Sequence, residues 1–453
     1  MAMAPLQIEL PTACAREAAY IVDVLFGDFL GVPFVRRHID RPDIRISREG
    51  PRELVLDASF FHAAEAAWLG PATLPRGPLV QFEGLPVLFA DPSRAAIARG
   101  PEGLTLGLDL LGSSFFMLAR YEEAVLPDRD VHGRFPARAA LAYREGFLDR
   151  PVVNEYLELL WRCLQELWPD LARRERAFRT LPSHDMDAPY RYLFLPPWRF
   201  VDHSLRDLVK GRLRDLTERL TLGTRVKLGQ LAADPFNTVA FLLDESDRRG
   251  LTSAFYFFGD RPDPAYDCLY EIEDPRILAL IDQIYGRGHE VGLHPSYTTY
   301  LDPDRTTTEF LRLRRACAGR GVEQARWGGR QHFLRWSTPQ TMRNWVAAGL
   351  DYDSTLGFAD AAGFRAGTCY EYPLYDVQAR EALTLRERPL IAMECSVIDA
   401  VYMGLGTGDA ALACLTQLKN QCRRYQGDFT LLWHNSRLYD PAERALYLAT
   451  LDA

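Results

Sequence analysis

From about residue 176 onward the chain repeats one pattern, a short apolar run followed by a helical stretch, and four of the runs end on polar clusters. The clusters are HDMD (184–187), GLH (292–294), GRQH (329–332) and LWH (432–434). Strand-then-helix repeats build a parallel sheet with helices outside it. In a barrel of such units the loops after the strands converge on one rim, and the active site gathers there. The pattern therefore predicts an α/β protein whose chemistry sits at one set of strand ends.

Helices are expected over 201–222, 235–249, 307–318 and 408–425. Two more are expected after Asp274-Pro275 and from Ser337-Thr338-Pro339-Gln340 to Gly349. TSAFYFFG, HEVGLH, LIAMECSVI and FTLLWH read as strands. In the 201–222 helix Leu205, Leu208, Leu213, Leu216 and Leu220 recur at helical spacing among nearly balanced charges, which predicts a solvated surface helix rather than a membrane face. Residues 1 to about 170 read differently, with strands in ELVLDASFF and LPVLFA and helices in SSFFMLARYEE and VVNEYLELLWRCLQELW. The charged stretch LARRERAFRT marks the expected boundary between an N-terminal α/β domain (1–175) and the repeating part (176–453).

Composition narrows the function classes. A chain of 453 residues with 47% hydrophobic and 25% charged residues can bury a large core and fill two domains. A net charge of −8 excludes a broad nucleic-acid footprint. No stretch reaches the ~18 apolar residues of a membrane span. The N-terminus lacks the basic-then-apolar pattern of a signal peptide, and the eight cysteines are scattered without a CxxC. A cytoplasmic location with reduced thiols is expected.

Asp185 and Asp187 are acids two positions apart, and they repel unless something positive lies between them. Residues i and i+2 of a strand face the same way, so both can face the rim with His294 and His434. Carboxylates and imidazoles hold divalent metals such as zinc. One acid would then be a ligand while the other takes a proton from the water that the metal activates. His434, on the opposite side, could protonate a leaving amine, which suits amide or ester hydrolysis. No role is expected for His38, His62, His132 or His203, and Arg120, Glu122 and Glu123 are expected to form a structural salt bridge.

Residues 176–453 resemble the polysaccharide deacetylase (NodB-homology, carbohydrate esterase family 4) superfamily. SHDMD resembles its first motif, which implies Asp185 as base and Asp187 as metal ligand. GHEVGLH resembles the second, making His294 a metal histidine, and GGRQHFLR the third, whose Arg330 steadies the base. LLWH resembles the last, making His434 the general acid. DRDVHGRF, RPVVNEY, YDSTLGFAD and GFRAGT are similar to a subgroup with an N-terminal region of unknown role, associated with surface-polysaccharide biosynthesis. The resemblance implies a distorted (β/α) barrel behind the N-terminal α/β domain. It also implies a zinc-dependent or other metal-dependent hydrolase that removes an acyl group, foremost N-acetyl, from a sugar. Expected substrates are an acetylated sugar, a nucleotide sugar or a lipid-linked saccharide.

One position departs from that pattern. The second metal histidine of the family falls on Thr298, and a hydroxyl is a poor substitute for an imidazole. Either the third ligand comes from elsewhere, His332 first and His184 next, or the metal binds weakly or not at all. In the last case the chain would be a catalytically inactive binder of saccharide or of a partner. Glu394 and Asp399 lie where the family keeps an aspartate that tunes its acid, and the spacing assigns neither.

Overall fold

The computed structural model describes residues 4–91 and 93–453. Its first sheet contains β1 (Leu6–Pro11), β2 (Phe34–Ile39), β3 (Asp43–Ser47) and β4 (Glu53–Asp57). β5 (Val80–Phe82) and β6 (Leu85–Val87) form a separate hairpin, and β7 (Ile97–Gly100) and β8 (Gly103–Leu106) complete the sheet in the order β2-β1-β3-β4-β8-β7. Its strands alternate as half-buried strands do: in β1, Leu6, Ile8 and Leu10 point into the core while Gln7 and Glu9 point out. The amphipathic helix Val152–Leu167 packs across β4 and β8.

The second sheet holds β9 (Arg179–Asp185), β10 (Ala254–Phe257), β11 (Glu290–Leu293), β12 (Gly328–Gly329) and β13 (Tyr352–Asp353). It continues with β14 (Tyr372–Asp376), β15 (Glu381–Glu387), β16 (Ala392–Met393) and β17 (Asp428–Leu432). The order is β14-β15-β13-β12-β11-β10-β9-β17-β16, and every pairing is parallel except β14 with β15. The protein is thus a mixed α/β structure built around a largely parallel sheet. Among the described residues no ladder joins β14 to β16, so the strands do not close by hydrogen bonds.

Register places the strand ends side by side. Asp185 pairs with Tyr256, Phe257 with Leu293, Leu293 with Gly329, and Leu432 with Ser183. The four polar clusters therefore leave the sheet along one edge. Gly329 permits this at β12, because a Cβ there would stand 1.9 Å from the Leu293 carbonyl oxygen.

Several elements differ from expectation. The 201–222 helix is broken into Pro197–Val209, Leu213–Glu218 and a wide turn at Arg219–Gly223, because Gly211 adopts a left-handed φ of 66°. LIAMECSVI is a strand only at Ala392–Met393, and Glu394–Ile398 is helical. β13, β14, β15 and the last helix, Pro441–Asp452, were not anticipated.

The two sheets share one apolar core. Phe115 lies edge-on to Tyr375 at 5.1 Å between ring centres, and Trp68 donates to the Val377 carbonyl at 2.8 Å. Arg120, Glu122 and Glu123 are nearly inaccessible, as a structural ion pair would be. Glu123 also accepts Arg365 through both oxygens, at 2.9 and 2.8 Å, so the network ties the first half of the chain to the second. Burial alone would raise the Glu123 pKa, but Arg365 and Arg120 bring it down to about 2. Glu123→Gln leaves buried guanidinium charge short of a partner, and unfolding stability should fall by about 3 kcal/mol. A denaturant midpoint that does not move would refute this role.

Candidate functional site

β9 ends at Asp185, and the Met186 amide donates to the Tyr256 carbonyl at 2.9 Å, which keeps the chain extended for one more step. Asp187 consequently faces the same side as Asp185. Its Oδ1 lies 3.1 Å from His294 Nε2 and 3.7 Å from His332 Nδ1. Those two ring nitrogens are 2.9 Å apart.

The outer nitrogens define the tautomers. His294 Nδ1 meets the Arg330 carbonyl at 2.6 Å, and His332 Nε2 meets the Tyr266 carbonyl at 2.9 Å. A carbonyl only accepts, so each ring donates its proton outward and turns a lone pair inward. Asp187 Oδ1 is buried and receives no hydrogen bond. Three acceptors therefore converge within 4.8 Å of one another with no donor between them. That arrangement is unfavourable unless a cation fills it, and histidines oriented through their outer N–H are typical of metal sites. The residues fit a divalent metal.

The two carboxylates draw positive charge into the pocket: burial alone would lower the His294 pKa, but the Asp185 and Asp187 charges raise it. Burial alone would raise the Asp187 pKa, but the three imidazoles around it, His332, His294 and His434, hold the carboxyl well below its usual range whenever they are protonated. Burial pushes His332 down to about 4, which leaves it neutral and able to ligate.

His332 is aimed by an unusual turn. Phe333 and Leu334 both have left-handed φ, 59° and 53°, which costs energy for residues with a Cβ and marks an over-determined segment. Arg335 fixes the turn, its guanidinium lying 3.9 and 3.8 Å from the ring centres of Tyr297 and Tyr300. Arg335 Nε also donates to the His132 carbonyl at 2.7 Å. His132, expected to have no role, thus buttresses the turn from the N-terminal half.

Asp185 is gripped from one side. Arg330 Nη1 donates to its Oδ1 at 2.9 Å, while the other nitrogens reach the Ser354 carbonyl, Ser183 Oγ and Ser354 Oγ at 2.8, 2.9 and 3.1 Å. The guanidinium is fully buried and cannot swing away. Asp185 lines the same cavity as Asp187, about 280 Å³ in volume.

His434 lies across that cavity, with Nε2 3.6 Å from Asp187 Oδ2. Its Nδ1 lies 2.5 Å from Glu394 Oε1, which also accepts the His434 amide at 3.0 Å. Burial alone would lower the His434 pKa, but the Glu394 charge raises it well above the usual imidazole value. Glu394 is the residue that sequence spacing left unassigned. Met393 pairs with Leu432, so Glu394 and His434 leave adjacent strand ends together. Asp399, the other candidate, is occupied by Arg437 at 2.7 Å. Glu394→Gln should lower any hydrolysis by about 10²-fold. Because the carboxylate raises the His434 pKa, its loss should also pull the alkaline limb of the pH–rate profile to lower pH. An unmoved alkaline limb would contradict the pairing.

The remaining candidates lie elsewhere. Thr298 is exposed and stands just before the turn Thr299–Leu301. His184 projects from the other face of β9, 4.8 Å from the Phe255 ring centre, with Nδ1 2.7 Å from the Trp433 carbonyl. Strand alternation removes it from the cluster, so His184 does not supply a third donor. A larger groove, about 580 Å³, contains none of these residues, and its Arg150 and Arg173 are paired with Glu155 and Glu158.

Comparison with known proteins adds the following. The model of a family of unknown function (DUF7033) matches residues 6–169. No curated protein matches the chain. A crystal structure assigned to a polysaccharide deacetylase from Mycobacterium smegmatis aligns over 63% of this chain and 85% of its own, with 20% identity and a TM-score of 0.39. The structure of Puue allantoinase aligns over 61% of this chain and 83% of its own, with 10% identity and a TM-score of 0.36. At those scores and identities the site geometry, not the likeness, must carry the chemistry.

Proposed function

We propose that the protein is a metal-dependent hydrolase that removes an acyl group, foremost N-acetyl, from a sugar. The observation behind this is the inward convergence of one carboxylate and two imidazole lone pairs, flanked by a second carboxylate and a third histidine. Asp187, His294 and His332 would hold the cation. Such an ion, zinc foremost, polarises an acyl carbonyl and lowers the pKa of water near it.

The chain's own groups supply the rest. Asp185, fixed by Arg330, accepts the proton of the attacking water, and the fixed guanidinium stops the carboxylate from rotating as its charge changes. His434, protonated and held by Glu394, gives a proton to the departing nitrogen or oxygen. Leu334, Met393 and Leu432 give the cavity an apolar part of its wall, which suits an acyl methyl group.

The domain division at 175/176 and the distorted (β/α)-barrel description of the second part belong to the same proposal. So does a cytoplasmic location, with an intracellular saccharide precursor as substrate. Arg134, from the N-terminal half, lines the cavity and donates to the Phe333 carbonyl at 3.0 Å. That half would then narrow the substrate entrance. The rival, an inactive saccharide-binding protein, drew its support from Thr298, and His332 offers a donor in place of the missing imidazole.

The direct test is acetate release from acetamido sugars. Metal-loaded protein should turn over, chelator-treated protein should fall to background, and added zinc should restore the rate. Absence of turnover across a broad panel of acylated saccharides by metal-replete protein would overturn the proposal.

A further inference from the structure

The segment between β9 and β10 is inverted in polarity. Helix Pro197–Val209 places Trp198, Val201, Leu205, Leu208 and Val209 along one side, and Leu213 follows the break. These side chains are 55% to 86% exposed. The opposite side faces the protein with Phe200 against Gly223 and with Asp207, whose carboxylate accepts Arg219 at 2.7 Å. The ion pair is thus inside and the apolar stripe outside. Only the first part of the expected 201–222 helix forms here, as Pro197–Val209, and it turns its apolar face away from the core.

A contiguous apolar stripe of this size on a folded surface signals a site of association. Its flank indicates the partner. Lys210, Arg212 and Arg214 follow immediately, are exposed, and form no ion pair among the described residues. An exposed Trp at one end, Leu and Val in the middle and unpaired cations at the other end match a helix lying flat in the headgroup layer of a bilayer. The chain as a whole carries −8, so any attraction to an anionic surface is local to this segment.

The segment also lies on the rim. It begins ten residues after Asp187. Arg199 donates to the Pro264 carbonyl at 3.5 Å, in the loop whose Tyr266 carbonyl holds His332. We infer that residues 197–214 dock the protein on an anionic lipid surface with the cavity beside that surface. It follows, and this part rests on the hydrolase proposal, that the substrate is a lipid-linked saccharide presented at the membrane. Among the described residues no helix is long and apolar enough to cross a membrane.

The test is flotation of the full chain with vesicles of phosphatidylcholine alone or with about one-third phosphatidylglycerol. The protein should float with the anionic vesicles and much less with the neutral ones. Lys210→Gln, Arg212→Gln and Arg214→Gln together should weaken that partition on the order of 100-fold. Leu205→Ser, Leu208→Ser and Val209→Ser together should abolish it, and neither set should alter turnover of a soluble acetamido sugar. Failure to float would overturn the inference. So would a dimer that dissociates in the serine variant, because the stripe would then be an interface between copies. Asp187→Ala should float normally while losing hydrolysis, so a wild-type protein that floats but hydrolyses nothing would sink only the hydrolase proposal.

Discussion

Asp185→Asn is expected to keep its metal while hydrolysis falls by about 10²–10⁴-fold. Asparagine preserves the shape and an acceptor for Arg330, so the 2.9 Å contact can survive. It cannot take up a proton at neutral pH. Because the substitution leaves the buried guanidinium without a counter-charge, the variant should also be about 3 kcal/mol less stable, so activity must be measured well below its unfolding temperature. Metal content by mass spectrometry and kcat/KM on one acetamido substrate settle the matter together. A variant with full metal and wild-type rate would remove Asp185 from the chemistry.

His332→Ala should be the more damaging change for the ion itself. Loss of one of the three proposed ligands is expected to weaken metal affinity on the order of 10³-fold and take activity with it, since Asp187 and His294 alone would leave the coordination too open. Thr298→Ala should leave both quantities within about twofold, because the side chain is exposed and does not line the cavity. The pair of variants discriminates sharply. If His332→Ala retains stoichiometric metal, the third donor is not this imidazole.

The strand-end rule makes the candidate cluster legible in the sequence. Asp185, Asp187, His294, Arg330, His332 and His434 share one edge because parallel strands at matched register must deliver their C-terminal residues to the same level. Glu394 escaped because β16 is only two residues long, and LIAMECSVI reads as one continuous apolar strand until the chain turns helical at the critical residue. Two-residue strands such as Tyr352–Asp353 have no period to detect, so patterning misses them. The orientation of the helix at 197–209 was unreadable for a different reason. Periodicity identifies an apolar face but says nothing about whether that face meets the core or the surroundings.

The donor set has one more consequence. Asp187, His294 and His332 follow three different strands, β9, β11 and β12, that are neighbours only in the folded sheet. An unfolded chain offers no comparable chelate, so an ion bound as proposed would act as a thermodynamic clamp on the native sheet. An ion present at 1,000 times its dissociation constant contributes about 4 kcal/mol through mass action alone. Cofactor supply would thereby govern how long the molecule persists, quite apart from what it catalyses.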